Sequence, residues 1–204
     1  MKKTSIFTLL AFLCLAMVSC GGASNSASSE DAAGAISVDQ LLADAENLVG
    51  DTIEIEGVCS HLCRHGGRKA FVVGSADSVL IRCEAFPLMG EPFPKSTIHQ
   101  PIRIKGVVCE ERIDEAAIQN MIRQYEESQK AAAEKAAEAG EEAPAEVESG
   151  CATERAAQGQ KNLTALDDRI ADYRAKIAAR QEKEGKPYLS FYCLQAISYE
   201  ILPE

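Results

Sequence analysis

The chain has no tryptophan, and Phe and Tyr together make up only 5% of its 204 residues, so any core must be small and largely aliphatic. It also lacks an excess of base: 21 Lys and Arg stand against 31 Asp and Glu. Charge therefore argues against nucleic-acid binding, because phosphate neutralisation needs a local majority of cations. After Val18 no run of 18 apolar residues occurs, which leaves no further helical membrane span in the sequence. Three common catalytic signatures are also missing: Gly-x-Ser-x-Gly, His-Glu-x-x-His and a phosphate-binding glycine loop. No nucleophile, base and orienting group can be named, and a non-enzymatic role is expected.

What is present begins at the amino terminus. Met1-Lys2-Lys3 is cationic, Ile6 to Val18 is almost wholly apolar, and Ser19-Cys20-Gly21-Gly22 follows with small residues. This is the pattern of an export signal. Met17-Val18-Ser19-Cys20-Gly21 resembles the bacterial lipobox, and the resemblance implies cleavage after residue 19 and acylation of Cys20. Several acyl chains, at about 0.8 kcal/mol per buried methylene, hold a protein on a membrane that it does not cross. Gly21, where an Asp favours retention at the inner membrane, is compatible with the outer membrane. Residues 20–36 are small and polar and are expected to form a disordered tether.

Residues 37–113 with 188–204 read as one small globular unit. Ser37 or Asp39 can cap a helix with Leu41, Leu42, Ala45 and Leu48 on one face. Five strand-like runs follow: Thr52 toward His65 with a bulge at Gly57, Ala70 to Val73, Ser78 to Ala85, Ile102 to Cys109, and Ser190 to Leu202. Gly66-Gly67 is a two-residue hairpin signal, and Phe86 to Pro101, with four prolines, is a loop. Order and spacing predict a mainly β fold, a small five-stranded OB-like Greek-key barrel, with an open meander as the alternative. Residues 114–187 are an acidic insertion. Asp114 can cap a helix carrying Ile118, Met121, Ile122 and Tyr125 and ending by Gly140. Thr164 with Asp167 can cap a second helix, with Leu163, Leu166, Ile170, Tyr173 and Ile177 in a stripe. The two narrow stripes predict an antiparallel, coiled-coil-like helical hairpin that stands clear of the barrel and offers itself to an envelope protein.

Of eight cysteines, six lie beyond the signal and Cys20: Cys59, Cys63, Cys83, Cys109, Cys151 and Cys193. In an exported chain an even number points to disulfides in any of 15 pairings. Cys83 and Cys193 also suit the role of compact buried side chains. The run Cys59-Ser60-His61-Leu62-Cys63-Arg64-His65 alternates four soft ligands, which would face one side of an extended strand. With Cys151 reaching in from the connection between the helices, these residues form a candidate zinc or copper site, with a disulfide between Cys63 and Cys151 as the alternative. Residues four apart in a strand are about 13 Å from each other, so Cys59 and Cys63 share an ion or a disulfide only if the strand bends. Arg64, Arg68 and Lys69 give an acidic chain one basic loop, a candidate anion contact that can equally serve solubility.

With the lipobox, the Cys-His run and the strand Tyr188-Leu-Ser-Phe-Tyr-Cys-Leu together, the chain resembles Bacteroidota-type envelope lipoproteins with an OB-like barrel and a helical insertion. The resemblance implies fold and envelope location and carries no activity with it. The sequence thus predicts a membrane-anchored binding or scaffold module, with a metal-binding or thiol-redox module on the Cys59–His65 run as the alternative. Replacing Cys20 with Ala should move the protein from the membrane fraction to the soluble fraction. Continued sedimentation with washed membranes would show that something other than the acyl group holds it.

Overall fold

A computed structural model of the chain describes residues 34–64, 66–142 and 151–203. The lipobox with Cys20, most of the expected tether, and His65 lie outside the described residues. Ile36–Ser37 forms a short strand β1 paired parallel to Ile55 and Glu56, so the tether's last expected residue, Ile36, is part of the sheet. Ser37 then caps α1 (Val38–Leu48): its hydroxyl accepts from the Gln40 N–H while the Gln40 side chain accepts from the Ser37 N–H. This reciprocal pair satisfies two donors that a helix start leaves open. Val38, Leu41 and Ala45, at the helical spacing of three and four, are buried.

Five longer strands follow, β2 (Thr52–Leu62), β3 (Lys69–Val73), β4 (Leu80–Glu84), β5 (Pro101–Ile113) and β6 (Leu189–Ile201). They run in the order β2-β3-β4-β6-β5, and β5 pairs back onto β2 to close a five-stranded barrel with β1 as an extra strand. All neighbours in the barrel wall are antiparallel except β4 and β6, which are parallel. Closure leaves no open edge in the wall. Ile55, Val72, Ile81, Ile102, Ile104, Val108 and Leu194 fill the interior. One mouth is covered by α1, which touches β2, β4, β5 and β6, and the loop Phe86–Gln100 brings Phe93 and Thr97 into the core from the hairpin side.

The bulge in β2 is not at Gly57. Cys59 pairs with Val72 and His61 with Phe71, leaving Ser60 as the extra residue, its hydroxyl donating to the Phe71 carbonyl at 3.1 Å. Gly57 meets a different demand: β2 leaves β5 for β3 there, and a Cβ would lie 2.5 Å from the Val73 carbonyl oxygen and 2.6 Å from Val72 Cγ1. The first hairpin is also longer than its glycine pair implies. Leu62 opposite Ala70 is the last paired position, and the Gly67 carbonyl accepts from the Phe93 N–H at 2.9 Å, so the turn is docked on the proline-rich loop.

β5 and β6 run on past the barrel as a two-stranded ribbon, pairing as far as Ile113 with Leu189. The ribbon carries the insertion. Asp114 caps α2 (Glu115–Ala139), which ends at Gly140 in the left-handed region with φ 71°. A short α3 (Ala152–Ala157) and α4 (Leu166–Glu184) follow; α4 begins after Ala165. Ile118 of α2 and Leu166, Ile170 and Tyr173 of α4 form a second apolar cluster together with Ile113, Leu189 and Phe191 of the ribbon. The helices therefore do not stand clear of the strands, because their shared stripe is completed by strand residues. From Glu126 onward α2 is mostly exposed, so it pairs with α4 only over its first turns.

Gly57→Ala should destabilise the protein by about 2–4 kcal/mol, since its Cβ meets backbone that cannot give way. Gly140→Ala, with open space around it, carries only the cost of its left-handed backbone, about 1 kcal/mol. Urea unfolding of the two variants should separate them. Equal loss would place the constraint at Gly57 elsewhere than in the close approach of β2 to β3.

Candidate functional site on the outer barrel face

The extra residue at Ser60 divides the Cys-His run between two faces. Cys59 points inward and is fully buried in the barrel core beside Cys83. Its thiol donates to the His61 carbonyl and to Thr97 Oγ1, both at 3.8 Å. Burial pushes the thiol pKa of Cys59 up, and that of Cys83 further, so both stay protonated. A protonated thiol inside an apolar barrel is neither a nucleophile nor a good metal ligand.

His61 and Cys63 belong to the outer face. The His61 ring lies 5.9 Å from Phe71, its cross-strand neighbour, and its Nε2 is buried without a hydrogen-bond partner. The Cys63 N–H donates to the Lys69 carbonyl at 2.9 Å, which sets Cys63 opposite Lys69. Cys63 and Phe71 are both buried, yet neither belongs to the interior cluster or to the helical one. Among the described residues no group of three or more His, Cys, Asp and Glu side chains converges to hold a metal ion. Of the candidate set, then, Cys59 lies inside the barrel, His61 and Cys63 lie outside, His65 falls outside the described residues, and Cys151 caps the start of α3.

α3 lies over this outer face. The Glu154 carboxylate accepts from Lys69 Nζ at 3.0 Å and from Arg82 Nη1 at 2.9 Å. Arg82, paired with Phe71 across β3 and β4, also donates from Nη2 to Glu111 at 2.5 Å, and its Nε lies 3.1 Å from Glu84 without the alignment of a hydrogen bond. Its side chain is only 12% exposed. Burial works to lower the Arg82 pKa, but the carboxylates of Glu111, Glu84 and Glu154 outweigh it and hold the guanidinium above its ordinary value. Burial likewise works to raise the Glu154 pKa, and Lys69 and Arg82 overcome it, leaving the carboxyl below its ordinary value.

The carboxyl end of α3 is tied to α4. Gln158 Oε1 accepts from Tyr173 Oη at 2.7 Å and from Arg169 Nη2 at 3.0 Å, while Gln160 Oε1 accepts from Arg169 Nε at 2.9 Å. Under α3, beside Arg82, lies a cleft of about 220 Å³ walled by Phe71, Leu80, Gln158, Phe191 and Tyr192. Of the basic loop, Lys69 is engaged by Glu154, the Arg68 guanidinium sits 4.8 Å over the Phe86 ring, and Arg64 is exposed.

Two features of the site escaped the sequence. Cys109 and Cys193 are directly opposed in β5 and β6 and form a disulfide. Nothing in their separation of 84 residues marks them as partners. Arg82 had the better signal, as a single charge between apolar residues in a short strand, Leu80-Ile81-Arg82-Cys83.

Because the Glu154 carboxyl pKa lies below its unfolded value near 4.5, its bonds stabilise the fold above that pH and are lost as pH falls through the lower folded value. Glu154→Gln should therefore destabilise the protein by about 1–2 kcal/mol at neutral pH and by much less near pH 3. Urea unfolding at the two pH values checks it; a loss independent of pH would mean that shape and not charge holds α3. In sequence comparison no family model matches the chain, and no curated protein matches it significantly.

Proposed function

We propose that this chain is a non-enzymatic, lipid-anchored protein of the cell envelope that acts as a binding or scaffold module. The observation that carries the reading is the outer face of β3 and β4, where a cleft lined by Phe71, Leu80 and Phe191 together with the Arg82–Glu154 ion pair is bordered by the insertion. Few convergent polar groups in a mainly apolar hollow are the usual makings of a recognition site. We read the barrel as OB-type. In such barrels ligands meet the face of the second and third strands, between the loops that follow the first and fourth. The corresponding elements here are β3, β4, the connection between β2 and β3, and the insertion.

Charge narrows the partner. The cleft borders a cluster of three carboxylates and two cations, and the basic loop is partly consumed by Glu154 and Phe86. A polyanion has little to hold there, which favours a protein partner over nucleic acid. No helix among the described residues is long and apolar enough to cross a membrane. Attachment in this reading rests on acylated Cys20, and Gly21 agrees with a place at the outer membrane. The exposed half of α2 offers a second surface for scaffold contacts.

A photo-reactive phenylalanine analogue at Ser78, on the rim of the cleft, should give a discrete cross-linked protein adduct in intact cells. The same analogue at exposed Asp51, which precedes β2 and does not line the cleft, should not. No adduct from Ser78, or equal adducts from both, would remove the cleft as a partner site.

A further inference from the structure

Among the described residues four thiols remain free once Cys109 and Cys193 are joined: Cys59, Cys63, Cys83 and Cys151. They fall into two kinds. Cys59 and Cys83 face the barrel interior with no exposed surface. Cys63 is 9% exposed outside that interior, and Cys151 is partly exposed at the start of α3, where its Sγ accepts from the Glu154 N–H at 3.3 Å.

The direction of α3 brings the second kind together. Ala156, near its carboxyl end, borders a hollow with Asp77 and Ser78, at the start of β4. Glu154 reaches Lys69 and Arg82, further along the same strands. Continuing toward the amino end of α3 leads on past Lys69, and Cys63 is the residue opposite Lys69 across the hairpin. The bulge at Ser60 is what turns Cys63 outward to this face.

We infer that Cys63 and Cys151 are the partners of a second disulfide, which fastens the amino end of α3 to the first hairpin. The oxidant is an exchangeable disulfide of a thiol-disulfide carrier or of oxidised glutathione. Cys151, the more exposed thiol, attacks one sulfur of that disulfide as its thiolate; a mixed disulfide forms and one carrier thiolate leaves. Cys63, deprotonated in turn, attacks Cys151 Sγ and expels the second carrier sulfur. Two cysteines are oxidised, one carrier disulfide is reduced to two thiols, and the two protons released by the cysteines pass to the leaving thiolates. Export, as proposed above, supplies such a carrier in the cell. The pairing itself is tested on purified protein and does not depend on the anchor.

Full-length protein with Cys20→Ala is incubated with oxidised glutathione, trapped with iodoacetamide in acid, and digested without reduction for peptide mapping. The expected result is a peptide pair joined through Cys63 and Cys151 in most molecules, beside the Cys109–Cys193 pair. In Cys63→Ser the mixed disulfide cannot resolve, so glutathione should accumulate on Cys151 at least tenfold over the parent. Persistent glutathione on Cys151 in the parent would overturn the pairing, as would linkage of either residue to Cys59 or Cys83. So would both thiols remaining free with one equivalent of zinc or copper bound. A soluble protein that maps as expected but has no membrane-bound parent would sink the anchor and leave the disulfide standing.

Discussion

A guanidinium taken out of water must be surrounded by negative charge, and Arg82 gathers its carboxylates from three separate parts of the chain. Glu84 is its neighbour in β4, Glu111 comes from the ribbon, and Glu154 comes from the insertion. Removing any one partner from a buried ion cluster costs more than forming it gained, because the remaining charges stay desolvated. This makes Arg82 a point of mutual dependence: barrel wall, ribbon and α3 each complete a set that the others cannot. The Lys69 contact extends the same logic to the first hairpin, since it shares Glu154 with Arg82. Hydrophobic burial builds the two clusters, but these shared ions relate the helical cover to the outer wall.

Elements whose signals are local were legible in the sequence. Ser37 and Asp114 sit immediately before apolar residues spaced by three and four, and both cap the expected helices. The strand runs are alternating or β-branched, bounded by glycine and proline, and all five occur near the expected limits. What was not legible depends on partners distant in sequence. The bulge at Ser60 follows from how β2 must curve between β5 and β3, and nothing at Ser60 itself announces that. A shift of one residue exchanges the faces of a strand, so a run read as one row of ligands becomes an inner thiol and an outer pair. Similarly, Cys109 with Cys193 depends on strand register across the whole insertion.

The helical insertion illustrates a second limit. Its apolar stripes are narrow, and a narrow stripe in isolation suggests that two helices cover each other. Here Phe191, Leu189 and Ile113 take up part of that surface, and Tyr173 meets Phe191 edge to face with centroids 6.2 Å apart. Amphipathicity states how much surface a helix must bury and not against what. The cleft next to Phe191 exists for the same reason: α3 and α4 rest on the barrel through a few large side chains, and the space between those supports is left unfilled.

The parallel pairing of β4 with β6 has a kinetic side. β6 joins β4 on one edge and β5 on the other, yet the whole insertion lies between β5 and β6 in the chain. Until β6 is available, β4 presents an unpaired edge with its backbone donors and acceptors open to any passing strand. Loop closure over such a separation must precede the contacts that reward it, which slows barrel formation relative to local helices. A chain of this topology keeps its wall open until β6 has formed, so the barrel closes in one late step rather than strand by strand.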